Sequence, residues 1–161
     1  MQMQSNRPVD WMEETVSRQA DRLLRAAVAI MGCRADAEDA VQDAFVKLWE
    51  KQPSFESLEH ETAWLVRVTV NLCRSRLRSP WRKRTTQLFD DYPAQTEQQQ
   101  SLVQSVLALP QKHRTIIHLF YYEGYSTREI AQLTRQKDST VRQQLTRARR
   151  ELKLNLEGDE V

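Results

Sequence analysis

The sequence predicts an all-α protein made of two small helical domains joined by a flexible linker, and three observations carry that prediction. Only three glycines occur in 161 residues that are 40% hydrophobic and 29% charged, which leaves little of the turn chemistry a sheet protein requires. Apolar residues recur at three- and four-residue spacing through most of the chain, the period of helices packed by one face. Between these helical blocks, Ser79-Pro80 ends the first, and the polar stretch that follows, with Asp90-Asp91-Tyr92-Pro93 and Gln98-Gln99-Gln100, has no sustained apolar period. The expected organisation is a first lobe over residues 10–79, a linker over 80–100 and a second lobe over 101–157, without internal repeats. Lobes of this size bury only about 60% of their unfolded surface, so each is expected to gain stability by docking on something larger.

The first helix is expected over residues 13–31, with Val16, Ala20, Leu23, Leu24, Ala27 and Ile30 on its apolar face and Gly32 as a left-handed cap. A second helix over 36–51 buries Ala37, Ala40, Val41, Ala44, Phe45 and Leu48. Its opposite side collects Asp39, Gln42, Asp43, Val46, Trp49 and Glu50. Two apolar side chains among carboxylates give that face the texture of a binding surface with an aromatic anchor. The competing reading turns Trp49 into the core edge and leaves the acids solvated.

After a loop over 53–61, a third helix over 62–78 places Ala63, Val66, Val70, Cys73 and Leu77 on one side. Trp64, Arg67, Asn71, Arg74 and Arg78 recur along the adjoining side, an arginine stripe with an amide in the middle and an aromatic at its start. Arginines grip phosphates, Asn71 suits a base edge and Trp64 offers a plane for an unstacked base, so the face fits partly single-stranded DNA. Read alone, it is more readily a helix with Trp64 in the core and an ordinary basic surface.

The second lobe opens at Leu109-Pro110 and is broken at Glu123-Gly124-Tyr125-Ser126. Two short amphipathic helices follow over 127–133 and 139–152, which is helix-turn-helix spacing. Ser126-Thr127-Arg128-Glu129 reads as a capping box, a structural role for Ser126 and Glu129 rather than nucleophile and base. The last helix buries Val141, Leu145, Ala148 and Leu152. Ser139, Thr140, Arg142, Gln143, Thr146, Arg147, Arg149 and Arg150 cover the remainder, as a major-groove reading helix requires.

A net charge of +2 conceals sharp local asymmetry. Residues 36–61 hold eight acids against two lysines, and residues 62–89 hold seven basic residues and no acid: Arg67, Arg74, Arg76, Arg78, Arg82, Lys83 and Arg84. From Gln98 onward ten basic residues face seven acidic ones. One acidic surface and two basic ones suit one protein partner and two stretches of phosphate backbone. The longest apolar stretch, residues 26–31, is too short to span a membrane, and no secretion signal is evident, so a cytoplasmic location without membrane insertion is expected. Cys33, Cys73, His60, His113 and His118 lack the close spacing of a zinc site, so no metal is expected.

Several ordered segments then carry a family resemblance: Ala35-Asp36-Ala37-Glu38-Asp39-Ala40-Val41-Gln42-Asp43-Ala44-Phe45; Trp64-Leu65-Val66-Arg67 with Asn71; Leu109-Pro110; Tyr122-Glu123-Gly124-Tyr125-Ser126; Glu129-Ile130-Ala131; and Thr140-Val141-Arg142 with Arg147-Ala148-Arg149. Together they resemble a bacterial RNA polymerase sigma factor of the extracytoplasmic-function group of the sigma-70 family, over nearly the whole chain. The resemblance implies a sigma region 2-like domain and a sigma region 4-like helix-turn-helix domain. It places core polymerase on Asp39, Gln42, Asp43, Val46 and Trp49. It assigns the minus ten element, with a flipped non-template base, to Trp64, Arg67, Asn71, Arg74 and Arg78, and its pocket to the loop over 55–61. The minus thirty-five element falls to Ser139, Thr140, Arg142, Gln143, Thr146 and Arg147, with Arg128, Arg149 and Arg150 on phosphates. It also implies promoter DNA, duplex and melted, and an anti-sigma protein as partners, and binding work that needs no catalytic residue and no cofactor.

The chain departs from that pattern where the turn of the motif usually carries a glycine followed by an apolar residue, for it has Thr134-Arg135-Gln136-Lys137-Asp138. Either Arg135 adopts a backbone conformation easier for glycine or the turn is built differently, and Gln136 removes an expected core contact. Gln144 stands where relatives often carry another basic residue. Two rival readings differ in kind. A stand-alone helix-turn-helix regulator would share the last third of the chain but usually dimerises on paired half-sites, and no dimer helix is evident. An enzyme acting on nucleic acid would need carboxylates or a metal set within a basic cleft, whereas the acids here sit on a different helix from the arginine stripe.

Overall fold

The computed structural model describes residues 9–79 and 104–159, so the linker expected over 80–100, with Arg82, Lys83 and Arg84, lies outside the described residues. Among the described residues all regular structure is helical, in the order α1 (Val9–Met31), α2 (Arg34–Lys51), α3 (Leu58–Leu77), α4 (Gln111–Ile117), α5 (Thr127–Thr134) and α6 (Asp138–Asp159). No helix among them is long and apolar enough to cross a membrane.

α1 starts four residues before the expected position and ends as predicted, with Gly32 at φ 73° and its N–H on the Val28 carbonyl at 2.8 Å. Its first half is amphipathic, but every residue from Ala26 to Cys33 is buried. An apolar run with no polar face is a helix covered on several sides, and here α2 and α3 cover one side while α4 of the second lobe covers another. α2 packs through Ala37, Ala40, Val41, Ala44 and Leu48, with Phe45 at the edge. The alanines admit close approach of the neighbouring backbones.

α3 corrects the expected boundary. Leu58 to Glu61, expected in the loop, form its first turn, because Ser57 caps the helix by accepting the His60 N–H at 3.1 Å. A histidine at the third helical position hides this start from a search for the usual Ser-x-x-Glu box. Glu61 is buried and tied to α1, accepting from Arg18 Nη2 at 2.9 Å on both oxygens and from Gln19 Nε2 at 3.0 Å. Leu65 and Thr69 join the expected Val66, Val70 and Cys73 in the buried side of α3, while Ala63 and Leu77, also expected there, are half-buried.

In the second lobe, α4 runs directly into a π-helical turn over His118–Tyr122, closed by the Glu123 N–H on the His118 carbonyl at 3.0 Å. This widened turn sends His118 and Leu119 inward and leaves Tyr121 and Tyr122 exposed. Ser126 and Glu129 form the expected capping box, at 3.1 and 3.0 Å. Of the two readings of the glycine-less turn, the structure takes the one with Arg135 in the left-handed conformation, at φ 54°. The turn is held by the Gln136 N–H on the Ala131 carbonyl at 2.9 Å, and the Gln136 side chain meets the Thr134 hydroxyl at 3.3 Å rather than the core. A single cluster of buried apolar residues extends from Leu23 to Ala148, so the two lobes dock on each other.

Candidate nucleic-acid interface

On α2 the outer face is free: Asp39, Gln42, Asp43, Val46, Trp49 and Glu50 are all exposed, Val46 by 50% and Trp49 by 52%. The reading that folds Trp49 into the core is thereby excluded. Asp43 pairs with Arg76 of α3, which fixes one acid at the border between the acidic and basic helices. Half-exposed tryptophan and valine among carboxylates remain a surface whose burial by a partner would release apolar area.

The arginine stripe of α3 has two unlike ends. At its start Trp64 is half-buried against Phe55, with ring centroids 5.9 Å apart, and Phe55 meets His60 edge-on at 5.3 Å. This aromatic group joins the loop before α3 to the helix itself; Phe55 fell within the expected pocket, but the His60 contact follows only from the capped first turn. Arg67 is exposed and Asn71 half-buried beside it. Towards the other end, Arg74 donates to the Thr134 carbonyl at the end of α5. Burial, and then the charges of Arg78 and Arg135, lower the pKa of its guanidinium. Arg74, Leu77 and Arg78 form one wall of a cavity of about 180 Å³ whose other wall includes Lys112, Gln136 and Gln144. No acid lines it.

α6 presents the opposite picture. Val141, Leu145 and Ala148 are buried, Leu152 is half-buried, and Ser139, Arg142, Gln143, Thr146, Arg147, Arg149 and Arg150 are exposed, with Thr140 half-buried at the edge. Arg142 pairs with Asp138 one turn earlier at 3.3 Å. Arg149 donates to the Tyr121 hydroxyl and lies over the Phe120 and Tyr121 rings, so one expected phosphate contact is engaged within the lobe. Arg128 is exposed on α5.

Across the lobe boundary the polar contacts are specific. Arg114 of α4 is buried and donates to the carbonyls of Ala29 at 2.8 Å and Ile30 at 3.5 Å, in the last turn of α1, and to Leu109 within its own lobe at 3.1 Å. A cation there satisfies carbonyls that a helix end leaves unpaired. Arg22 of α1 reaches the buried Glu123 carboxylate at 3.6 Å, and Arg25 lies over the Tyr122 ring. None of these boundary contacts was read from the sequence, because pairs this far apart in the chain leave no periodic mark. The two cysteines are buried, and burial pushes the Cys73 thiol up to about 12, which removes it as a nucleophile near neutral pH. Among the described residues no group of three or more metal-ligating side chains forms.

Comparison with known proteins decides the family. Residues 15–83 match the model of Sigma-70 region 2 and residues 99–152 that of Sigma-70, region 4. The chain is 31% identical over 147 residues to the ECF RNA polymerase sigma factor SigL of Mycobacterium tuberculosis, with 84% of this chain and 82% of that one covered. The chain belongs to the extracytoplasmic-function group of the sigma-70 family. It is also 30% identical over 154 residues to SigE of Mycolicibacterium smegmatis, covering 88% of this chain and 60% of that one. With a probable RNA polymerase sigma factor, RfaY, of Xanthomonas campestris it shares 31% over 138 residues, 76% of this chain and 34% of that one. The chain thus spans from a third to about three-fifths of the length of several curated relatives it matches. In fold it resembles the sigma factor RpoE solved with the anti-sigma factor NepR from Bartonella quintana, at TM-score 0.68 and 23% identity over 92% of this chain and 98% of that one. It also resembles CnrH solved with the cytosolic domain of CnrY, at TM-score 0.63 and 25% identity over 97% and 93%. Region 2 of this sigma-family chain therefore comprises α1 to α3, and region 4 contains α4 to α6.

Proposed function

We propose that this chain directs core RNA polymerase to promoters and opens the DNA there, acting in the cytoplasm by binding rather than by catalysis. The observation that carries the reading is the separation of three faces on one small body: an exposed acidic face anchored by Val46 and Trp49, an aromatic and arginine face on α3, and an exposed polar, basic face on α6. In this reading Asp39, Gln42, Asp43, Val46 and Trp49 meet polymerase. Arg142, Gln143, Thr146 and Arg147, with Ser139 and Thr140, read the upstream duplex element, and Arg128, Arg149 and Arg150 hold phosphates. Trp64, Arg67, Asn71, Arg74 and Arg78 take the melted downstream element, where base stacking and capture offset the few kcal/mol that unstacking costs. An anti-sigma protein is the natural restraint, as the partners of the two solved relatives suggest.

The test is transcription in a reconstituted system, adding the full chain to core polymerase free of other sigma factors and mapping transcript starts on genomic DNA fragments. Initiation at defined sites that is lost with Asp43→Lys, while circular dichroism shows the helices intact, supports the assignment. Absence of any defined start, together with no co-elution with core enzyme, overturns it.

A further inference from the structure

Gln136 and Gln144, two glutamines at which this chain departs from the usual pattern of the motif, come together in the structure as lining of the cavity between the lobes. Arg74 and Arg78 of α3 form the opposite wall, and Lys112 of α4 stands on the side of the glutamines. Arg78 and Lys112 are exposed, so an ion reaches the cavity from solvent while the lobes stay packed. Among the described residues neither of them has an ion-pair partner, and no acid lines the cavity. Arg74 gives one N–H to the Thr134 carbonyl and keeps other guanidinium donors. Burial and the charges of Arg78 and Arg135 lower its pKa, the mark of a cation crowded by like charge. The Gln144 amide oxygen is buried without a hydrogen-bond partner among the described residues, and the same amide turned over offers an N–H instead.

We propose that this cavity is a binding site for a small phosphate-bearing anion, held by Arg74, Arg78 and Lys112 with Gln136 and Gln144 as neutral hydrogen-bonding partners. Its volume of about 180 Å³ lies below the roughly 300–1,000 Å³ that encloses a drug-sized ligand, so it takes a small ion or the end group of a larger one. Three cations call for more than the single charge of a carboxylate. Donors that converge from two walls suit a tetrahedral oxyanion, whose oxygens pair with guanidinium forks and with the point charge of a lysine. Because the ligand touches both lobes of the folded chain, its binding adds to folding stability in step with its concentration. The site belongs to the packed chain and stands apart from the proposed function. Arg74 and Arg78 are shared with the face assigned to melted DNA, so the substitutions that test the cavity fall on its other wall.

The experiment uses the full chain without polymerase or DNA. Titration calorimetry at constant ionic strength measures binding of inorganic phosphate, pyrophosphate and ATP, and thermal melting measures the stabilisation each brings. Pyrophosphate should bind one to one and raise Tm by about 5 °C at roughly a hundredfold excess over Kd. Gln144→Glu, nearly isosteric, places a carboxylate among the cations; it should weaken pyrophosphate binding roughly tenfold or more and raise Tm in phosphate-free buffer. Lys112→Glu, at an exposed position, should weaken binding to a similar extent, and decides the matter if Gln144→Glu fails to fold. ATP bound as tightly as pyrophosphate assigns the site to the phosphate tail of a nucleotide, and rejection of ATP assigns it to a free phosphate; either outcome supports the proposal. Two results would overturn it: no binding of any of the three, or binding that neither substitution weakens, as expected of anions gathered on the exposed arginines of α6.

Discussion

The two basic helices, α3 and α6, look alike as sequence and differ as surface. Each carries arginines on one side and a buried apolar stripe on the other, yet α6 shows its arginines to solvent while on α3 Arg67 and Arg78 are exposed and Arg74 is half-buried and bonded to the other lobe. Charge pattern therefore identifies faces fit for phosphate, and tertiary packing decides which of them is free to act. The cost of that packing is visible in Arg74, Arg78 and Arg135, like charges gathered near a cavity lined by no acid.

Substitutions sharpen this contrast. Leu145→Ala, on the buried side of α6, should cost about 2–5 kcal/mol in a urea melt, whereas Gln143→Ala on the exposed side should stay within about 0.5 kcal/mol. Glu61→Ala should cost about 2–3 kcal/mol, since it breaks a buried link between α1 and α3, against less than about 1 kcal/mol for Asp43→Ala in its exposed pair. Arg142→Ala should weaken specific duplex binding by about 1–3 kcal/mol without a change in melting, as read by anisotropy against a selected site. Arg135→Gly should stabilise the turn by about 0.5–1 kcal/mol, relieving a left-handed arginine, and a loss of stability there would show that the side chain matters more than the backbone. A last effect is absent at neutral pH and concerns Cys73. Its folded pKa lies above the ordinary value of 9.0, so its contribution to stability is complete below pH 9 and fades as pH rises towards 12. Cys73→Ser should flatten that part of the pH profile.

Much of this molecule was legible before its structure. The apolar periods of α2 and α6, the Gly32 cap and the Ser126 capping box follow from local rules, and the structure shows each; at Arg135 local rules left two turn geometries open, and the structure has the left-handed one. Periodicity did not reveal why residues 26–33 lack a polar face, since a helix covered by two lobes reads only as an apolar run. The π-turn at His118–Tyr122, the burial of Glu61 and the reach of Arg114 to α1 depend on partners distant in sequence. The candidate faces were readable because each repeats along one helix, and the coupling between them was not, because it crosses between helices.

The most direct measurement is the distance between the lobes, taken from spin labels on exposed positions of α2 and α6, in the free chain and in a promoter complex with core polymerase. The account predicts one short distance in the free chain and an increase of several tens of ångströms in the complex. A distance that stays the same in both states would contradict it.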